Sequence, residues 1–138
     1  MHEYRAKIIK IIDGDTVDVD IDLGFDIILH NQRIRLFGID APESRTRDKE
    51  EKFYGNLAKQ FLNDYCKKGS YIKVRTHLDK RGKFGRILGE LIVNDVNLNE
   101  QMIEEHLAVE YDGRSKEEVE LEHQVNRMTL KRLGVLYS

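Results

Sequence analysis

Two short stretches gather carboxylates and an arginine in a way that suits cation and phosphate chemistry. Ile12-Asp13-Gly14-Asp15-Thr16-Val17 ends an apolar run in acidic side chains, and Arg35-Leu36-Phe37-Gly38-Ile39-Asp40-Ala41-Pro42-Glu43 puts a guanidinium and two carboxylates within one loop's reach. A third stretch, Asp79-Lys80-Arg81-Gly82-Lys83-Phe84-Gly85-Arg86, is basic. A hard divalent cation such as Ca²⁺ takes several oxygen ligands from carboxylates, main-chain carbonyls and water. Asp15 and Asp40 offer two carboxylates, and the carbonyl of Ala41 offers an oxygen that needs no particular side chain. Attack of water on a phosphodiester builds negative charge on an anion that is already charged. A cation with fixed guanidinium groups counters that charge directly. Arg35 and Arg86 suit the task because a planar fork binds phosphate oxygens in pairs and stays charged at any working pH.

Other metal chemistries are excluded by the same inspection. The single cysteine, Cys66, rules out an internal disulfide and a thiolate-rich zinc site, and it reads as a small apolar group at a helix end. His2, His30, His77, His106 and His123 show no metal-ligand spacing and read as surface or cap residues. Asp18-Val19-Asp20-Ile21-Asp22 is not a calcium loop of the helix-loop-helix kind, because its sixth and twelfth positions are Leu23 and Leu29. Those aspartates are expected on a strand's solvent face. Taken singly, Asp13-Gly14-Asp15 is a common turn former.

The elements that must position these residues follow from periodicity. Val17, Val19 and Ile21 alternate with aspartates, and Ile34 and Leu36 alternate with Arg33 and Arg35, so both segments read as half-buried strands. Tyr4 to Ile12, Tyr71 to His77 and Arg86 to Val93 are further strands, about five in all, with Gly24, Gly82 and Gly85 in the turns. Phe53, Leu57, Phe61 and Tyr65, flanked by Ala58 and Leu62, mark a helix that stops near Gly69. Asn97 with Glu100 and Ser115 with Glu118 look like capping boxes that open two more helices. In the last helix the buried stripe is expected to be Leu121, Val125 and Met128. The pattern predicts an α+β fold, a five-stranded OB-fold-like Greek-key β-barrel with three packed α-helices.

The chain of 138 residues, 40% apolar and 35% charged, suits one domain over residues 1–138 with an ordinary core and a charged surface. No stretch is long and apolar enough for a membrane span or a secretion signal, so the chain reads as cytoplasmic as written, or secreted if a leader has been removed. A formal net charge of −2 gives no global pull on a polyanion. Placement is uneven, however. Six aspartates and no Lys or Arg fall between Asp13 and Asp26, whereas Lys73 to Arg86 carries six Lys and Arg against one Asp. If the partner is nucleic acid, this balance predicts weaker binding with a shallower salt dependence than a basic protein would show.

The three ordered stretches resemble the staphylococcal nuclease (thermonuclease) family. Ile12-Asp13-Gly14-Asp15-Thr16, the Arg35 to Asp40 spacing, Asp40-Ala41-Pro42-Glu43 and the downstream Gly85-Arg86 carry the likeness, with Tyr54-Gly55 in the first helix, and it extends from about Tyr4 to Tyr137. The resemblance implies one Ca²⁺ held by Asp15, Asp40 and the main chain of Ala41, where the family more often has threonine. It implies Arg35 and Arg86 on the scissile phosphate, with Glu43 on the attacking water as base or positioner. Asp13 falls to a turn or a supporting position. Lys83, Phe84 and Tyr111 correspond to residues beside the terminal nucleotide; Phe84 keeps a stacking face without a hydroxyl, and Gly82 stands where an aspartate is usual. The implied activity is hydrolysis of DNA, with RNA left open, at low sequence specificity and leaving 3′-phosphate ends. A monomer is expected. The competing reading is a non-catalytic nucleic-acid-binding module of the same OB-like fold.

Overall fold

The computed structural model describes residues 2–78 and 87–137. Among the described residues eleven elements follow one another: β1 Glu3–Asp13, β2 Thr16–Asp22, β3 Ile28–Leu36, β4 Ile39–Asp40, α1 Lys49–Tyr65, β5 Tyr71–His77, β6 Ile87–Val93, β7 Val96–Asn97, α2 Leu98–Glu104, β8 Val109–Glu110 and α3 Lys116–Arg132. The main sheet runs β3-β2-β1-β5-β6-β7, and a parallel pairing of β3 with β6 closes the first five strands into a barrel. The expected five-stranded barrel with three helices is the fold observed.

Alternation built that barrel. Val17, Val19 and Ile21 on β2, Ile34 and Leu36 on β3, and Ile72 and Val74 on β5 all point into the core. On β1 the inward set is Ala6 and Ile8 and then Ile11, because a bulge between Ile8 and Lys10 shifts the alternation by one residue. The aspartates of β2 lie on the outer face as expected. Asp18 pairs with Arg33 directly across the β2–β3 ladder at 2.9 Å, and Asp20 accepts the Asn31 N–H. The closing seam is held by Asn99, 3% exposed at the start of α2. Its amide donates to the carbonyls of Phe37 and Gly89 and its Oδ1 accepts the Leu91 N–H.

The helices begin where their caps dictate. Asp48, Asn97 and Ser115 accept main-chain N–H groups at the starts of α1, α2 and α3. One sequence expectation about a helix face, that of α3, needs correction. On α1 the fully buried line is Tyr54, Gly55, Ala58 and Leu62, with Phe53, Leu57 and Phe61 half-buried beside it and Tyr65 exposed. On α3 the expected stripe is outside: Leu121, Val125 and Met128 are 61%, 59% and 55% exposed, while Val119, His123 and Leu130 are buried. Polar anchoring turned that helix. His123 contacts Asp40 and Asn126 donates to the Ala108 carbonyl, and these bonds form only with that face inward. Among the described residues no helix is long and apolar enough to cross a membrane.

Candidate active site

Three small residues let three elements meet. Gly14 sits in the β1–β2 turn, where a Cβ would stand 2.6 Å from the Ala58 Cβ on α1 and 2.9 Å from the Ala41 Cβ after β4. No larger group fits at this junction, so the turn bearing Asp15 and the strand end bearing Asp40 are drawn against the same helix. Asp13 ties the junction together, its Oδ1 accepting the N–H groups of Gly14 and Ser44. The β4–β8 ladder, Ile39 opposite Glu110 and Asp40 opposite Val109, brings Tyr111 in, and its N–H donates to the Gly38 carbonyl.

Arg35 is fixed in the middle of this arrangement. Its Nη1 donates to the carbonyls of Leu36 (3.1 Å) and Ile39 (2.9 Å). Its Nη2 stands 3.3 Å from Asp40 Oδ1 and 3.5 Å from Asp15 Oδ2. Asp15 Oδ2 also accepts the Ala41 N–H, and Asp15 Oδ1 accepts the Thr16 hydroxyl. Burial pushes the Asp15 carboxyl above the usual carboxylate range, against the pull of Arg35 and the Ala41 N–H, and the nearby Asp40 charge pushes it the same way. Asp40 Oδ2 takes a hydrogen bond of 2.8 Å from His123 Nε2.

These residues line a cleft of about 1000 Å³ shared with Asp13, Glu43, Arg114 and His123. A second cleft, about 800 Å³, adjoins it and is walled by Leu36, Phe37, Leu88, Ile103 and Asn99. Arg35 and Tyr111 line both. Glu43 is exposed on the first cleft, and its backbone is pinned against Gly55 of α1.

The donor set fits a hard cation. Each ionised carboxylate has about four lone-pair directions. Among the described residues Asp15 Oδ1 and both oxygens of Asp40 have one partner each, which leaves acceptor capacity on two carboxylates that line the cleft together with Ala41. Among the described residues no three acidic, histidine or cysteine side chains are grouped so as to hold a metal ion by themselves, so main-chain oxygen and water would have to complete the shell.

Of the residues singled out from sequence, Asp15, Arg35, Asp40, Ala41, Glu43 and Tyr111 are brought to one cleft. Arg86, Lys83 and Phe84 lie outside the described residues, as do the turns at Gly82 and Gly85. His123 was missed. Its signal was the spacing Val119, His123, Asn126, Leu130, a second inward-capable stripe hidden by the more apolar one.

Comparison with known proteins agrees with the fold. A sequence model described as Staphylococcal nuclease homologue matches residues 33–135. The chain belongs to the staphylococcal nuclease family. It is 32% identical over 109 residues to the thermonuclease of Staphylococcus hyicus, covering 78% of this chain and 59% of that protein. It is 28% identical over 118 residues to the micrococcal nuclease of Shigella flexneri, covering 79% and 59%. Endonuclease YhcR of Bacillus subtilis (strain 168) is 25% identical over 115 residues, 79% of this chain and 9% of that much longer protein. The chain thus spans under two thirds of the length of these relatives.

Proposed function

We propose that this chain is a divalent-cation-dependent nuclease that hydrolyses DNA phosphodiesters, with RNA as a further substrate to be tested. The observation that carries the reading is Arg35. Two backbone carbonyls hold its guanidinium, which faces both Asp15 and Asp40 on a cleft that Glu43 also lines.

In this reading Asp15, Asp40 and the Ala41 carbonyl hold the cation, with Ca²⁺ favoured by the hard oxygen donors and by the family likeness. When bound, the cation supplies positive charge beside the phosphoryl oxygens. Arg35 contributes its remaining donor directions to the same phosphate without the cost of being ordered during the reaction, since its carbonyl partners already order it. Arg86 is assigned the second guanidinium on the likeness alone. Glu43 orients the attacking water or takes its proton. Phosphorus gains the water oxygen, its bond to the 5′ oxygen breaks, and the 5′ hydroxyl leaves with a proton, so the other product ends in a 3′-phosphate. The adjoining cleft, with Phe37 and Tyr111 in its wall and an apolar floor, accommodates a base and sugar. Lys83 and Phe84 are assigned to the same nucleotide from sequence.

The test is digestion of denatured DNA with CaCl₂ or with a chelator, by the wild type and by Arg35→Ala and Glu43→Ala. Chelator-sensitive cleavage is expected, and each substitution lowers kcat by about 10²-fold or more while the fold survives. Retention of DNA without cleavage at any cation concentration would replace this reading with that of a binding module.

A further inference from the structure

We propose that His123 is a positioning residue that holds the Asp40 carboxylate in its cation-binding orientation, an inference that rests on the reading of Asp40 as a ligand. Asp40 ends a two-residue strand and its side chain is 34% exposed to the cleft, so the backbone alone does not fix its rotamer. Each of its oxygens has its own donor. Arg35 Nη2 meets Oδ1 at 3.3 Å and His123 Nε2 meets Oδ2 at 2.8 Å. Two donors on the two oxygens fix the plane of the carboxylate as well as its position. Arg35 alone would leave it free to turn about the Oδ1 contact.

His123 is built to do this and little else. It is 5% exposed on α3, and its other ring nitrogen, Nδ1, is buried with no hydrogen-bond partner among the described residues. A buried N–H without an acceptor is costlier than a bare ring nitrogen, so the tautomer with its proton on Nε2, aimed at Asp40, is the one the surroundings favour. The orientation of the whole helix follows. α3 keeps His123 inside and leaves Leu121, Val125 and Met128 in solvent, a choice that burial of apolar area alone would reverse. The design is that of a supporting group which tunes a metal ligand by a hydrogen bond from behind it.

The experiment measures Ca²⁺ binding by titration calorimetry on the full chain, with steady-state cleavage of denatured DNA and a thermal melt in chelator, for wild type, His123→Leu, His123→Asn and His123→Gln. A glutamine amide reaches the position of Nε2 and can donate to Asp40; asparagine stops near the position of Nδ1, and leucine fills the space with no donor. Ca²⁺ affinity is expected to fall about 10–100-fold in His123→Leu and His123→Asn, with KM for DNA at saturating Ca²⁺ unchanged, and to return to near the wild-type value in His123→Gln. If His123→Leu does not fold, the contrast between Gln and Asn carries the test. Wild-type affinity in the Asn or Leu variant, or equal losses in Gln and Asn, would overturn the role of His123 while leaving the nuclease reading intact. A wild type that takes up no Ca²⁺ and cuts no DNA would overturn both together.

Discussion

A Cβ on Gly55 would stand 2.4 Å from the carbonyl oxygen of Glu43, so α1 rests directly on the backbone of the residue assigned to the attacking water. Helix propensity alone favours alanine over glycine there by about 1 kcal/mol. Contact with a backbone atom outweighs it, because a main-chain carbonyl cannot swing aside as a side-chain tip can. Gly55→Ala is therefore expected to destabilise the protein by about 1–3 kcal/mol, the usual cost of overpacking, and to depress cleavage by displacing Glu43. Urea denaturation and kcat measured together check it; a variant more stable than wild type would mean that the helix and the loop are not in contact.

Asp15 illustrates a site that costs stability. Burial raises its pKa above the value of 3.8 expected for the unfolded chain, despite Arg35 and the Ala41 N–H. A carboxyl raised in the folded state favours folding below its unfolded pKa and loses that contribution as pH rises through the folded value. With chelator present, Asp15→Asn should therefore melt above wild type at neutral pH, and the difference should shrink as the buffer is acidified and Asp15 takes up its proton. Cleavage by the variant is expected to fall by at least about 10²-fold. Melting curves across a pH series give the sign; a gap that widens toward low pH contradicts it.

The outward stripe of α3 predicts an asymmetry that its sequence hides. Leu121→Gln, Val125→Gln and Met128→Gln should each change stability by no more than about 0.5 kcal/mol, as solvent-facing substitutions do. Leu130→Ala, on the buried side, should cost about 2–4 kcal/mol. Chemical denaturation of the four variants decides which face is docked.

Cys66 caps α1 with its N–H on the Leu62 carbonyl, and its thiol is buried. Burial pushes that thiol up to about 12, so almost no thiolate exists at neutral pH. Alkylation by iodoacetamide should proceed only through unfolding and rise with urea along the same transition as the loss of structure. Rapid labelling under native conditions would place the thiol outside the core.

Local order was written plainly in the residues. Alternating apolar positions on β1, β2, β3 and β5 read directly as strands because the side-chain period of a strand is two, and the caps at Asn97 and Ser115 read as helix starts because their side chains replace missing acceptors for the first N–H groups. The spacing of Arg35, Asp40 and Glu43 likewise put a guanidinium and two carboxylates at one cleft, since those residues lie close in sequence. The face of α3 was not legible. Hydrophobic pattern ranks faces by apolar content, and here the decisive partners, Asp40 and the Ala108 carbonyl, lie many residues away and are polar.

By itself, then, the order of residues determined which segments become strands and helices and which chemical groups are available, because both depend on neighbours a few positions apart. Only the closed barrel decided that the Asp15 turn, the Asp40 strand end and α1 converge on Gly14, Ala41 and Ala58, and that a histidine 83 positions from Asp40 supports it. Such contacts arise from packing between distant elements, where the steric room for a missing Cβ and the need to satisfy a buried polar atom are set by the assembled fold.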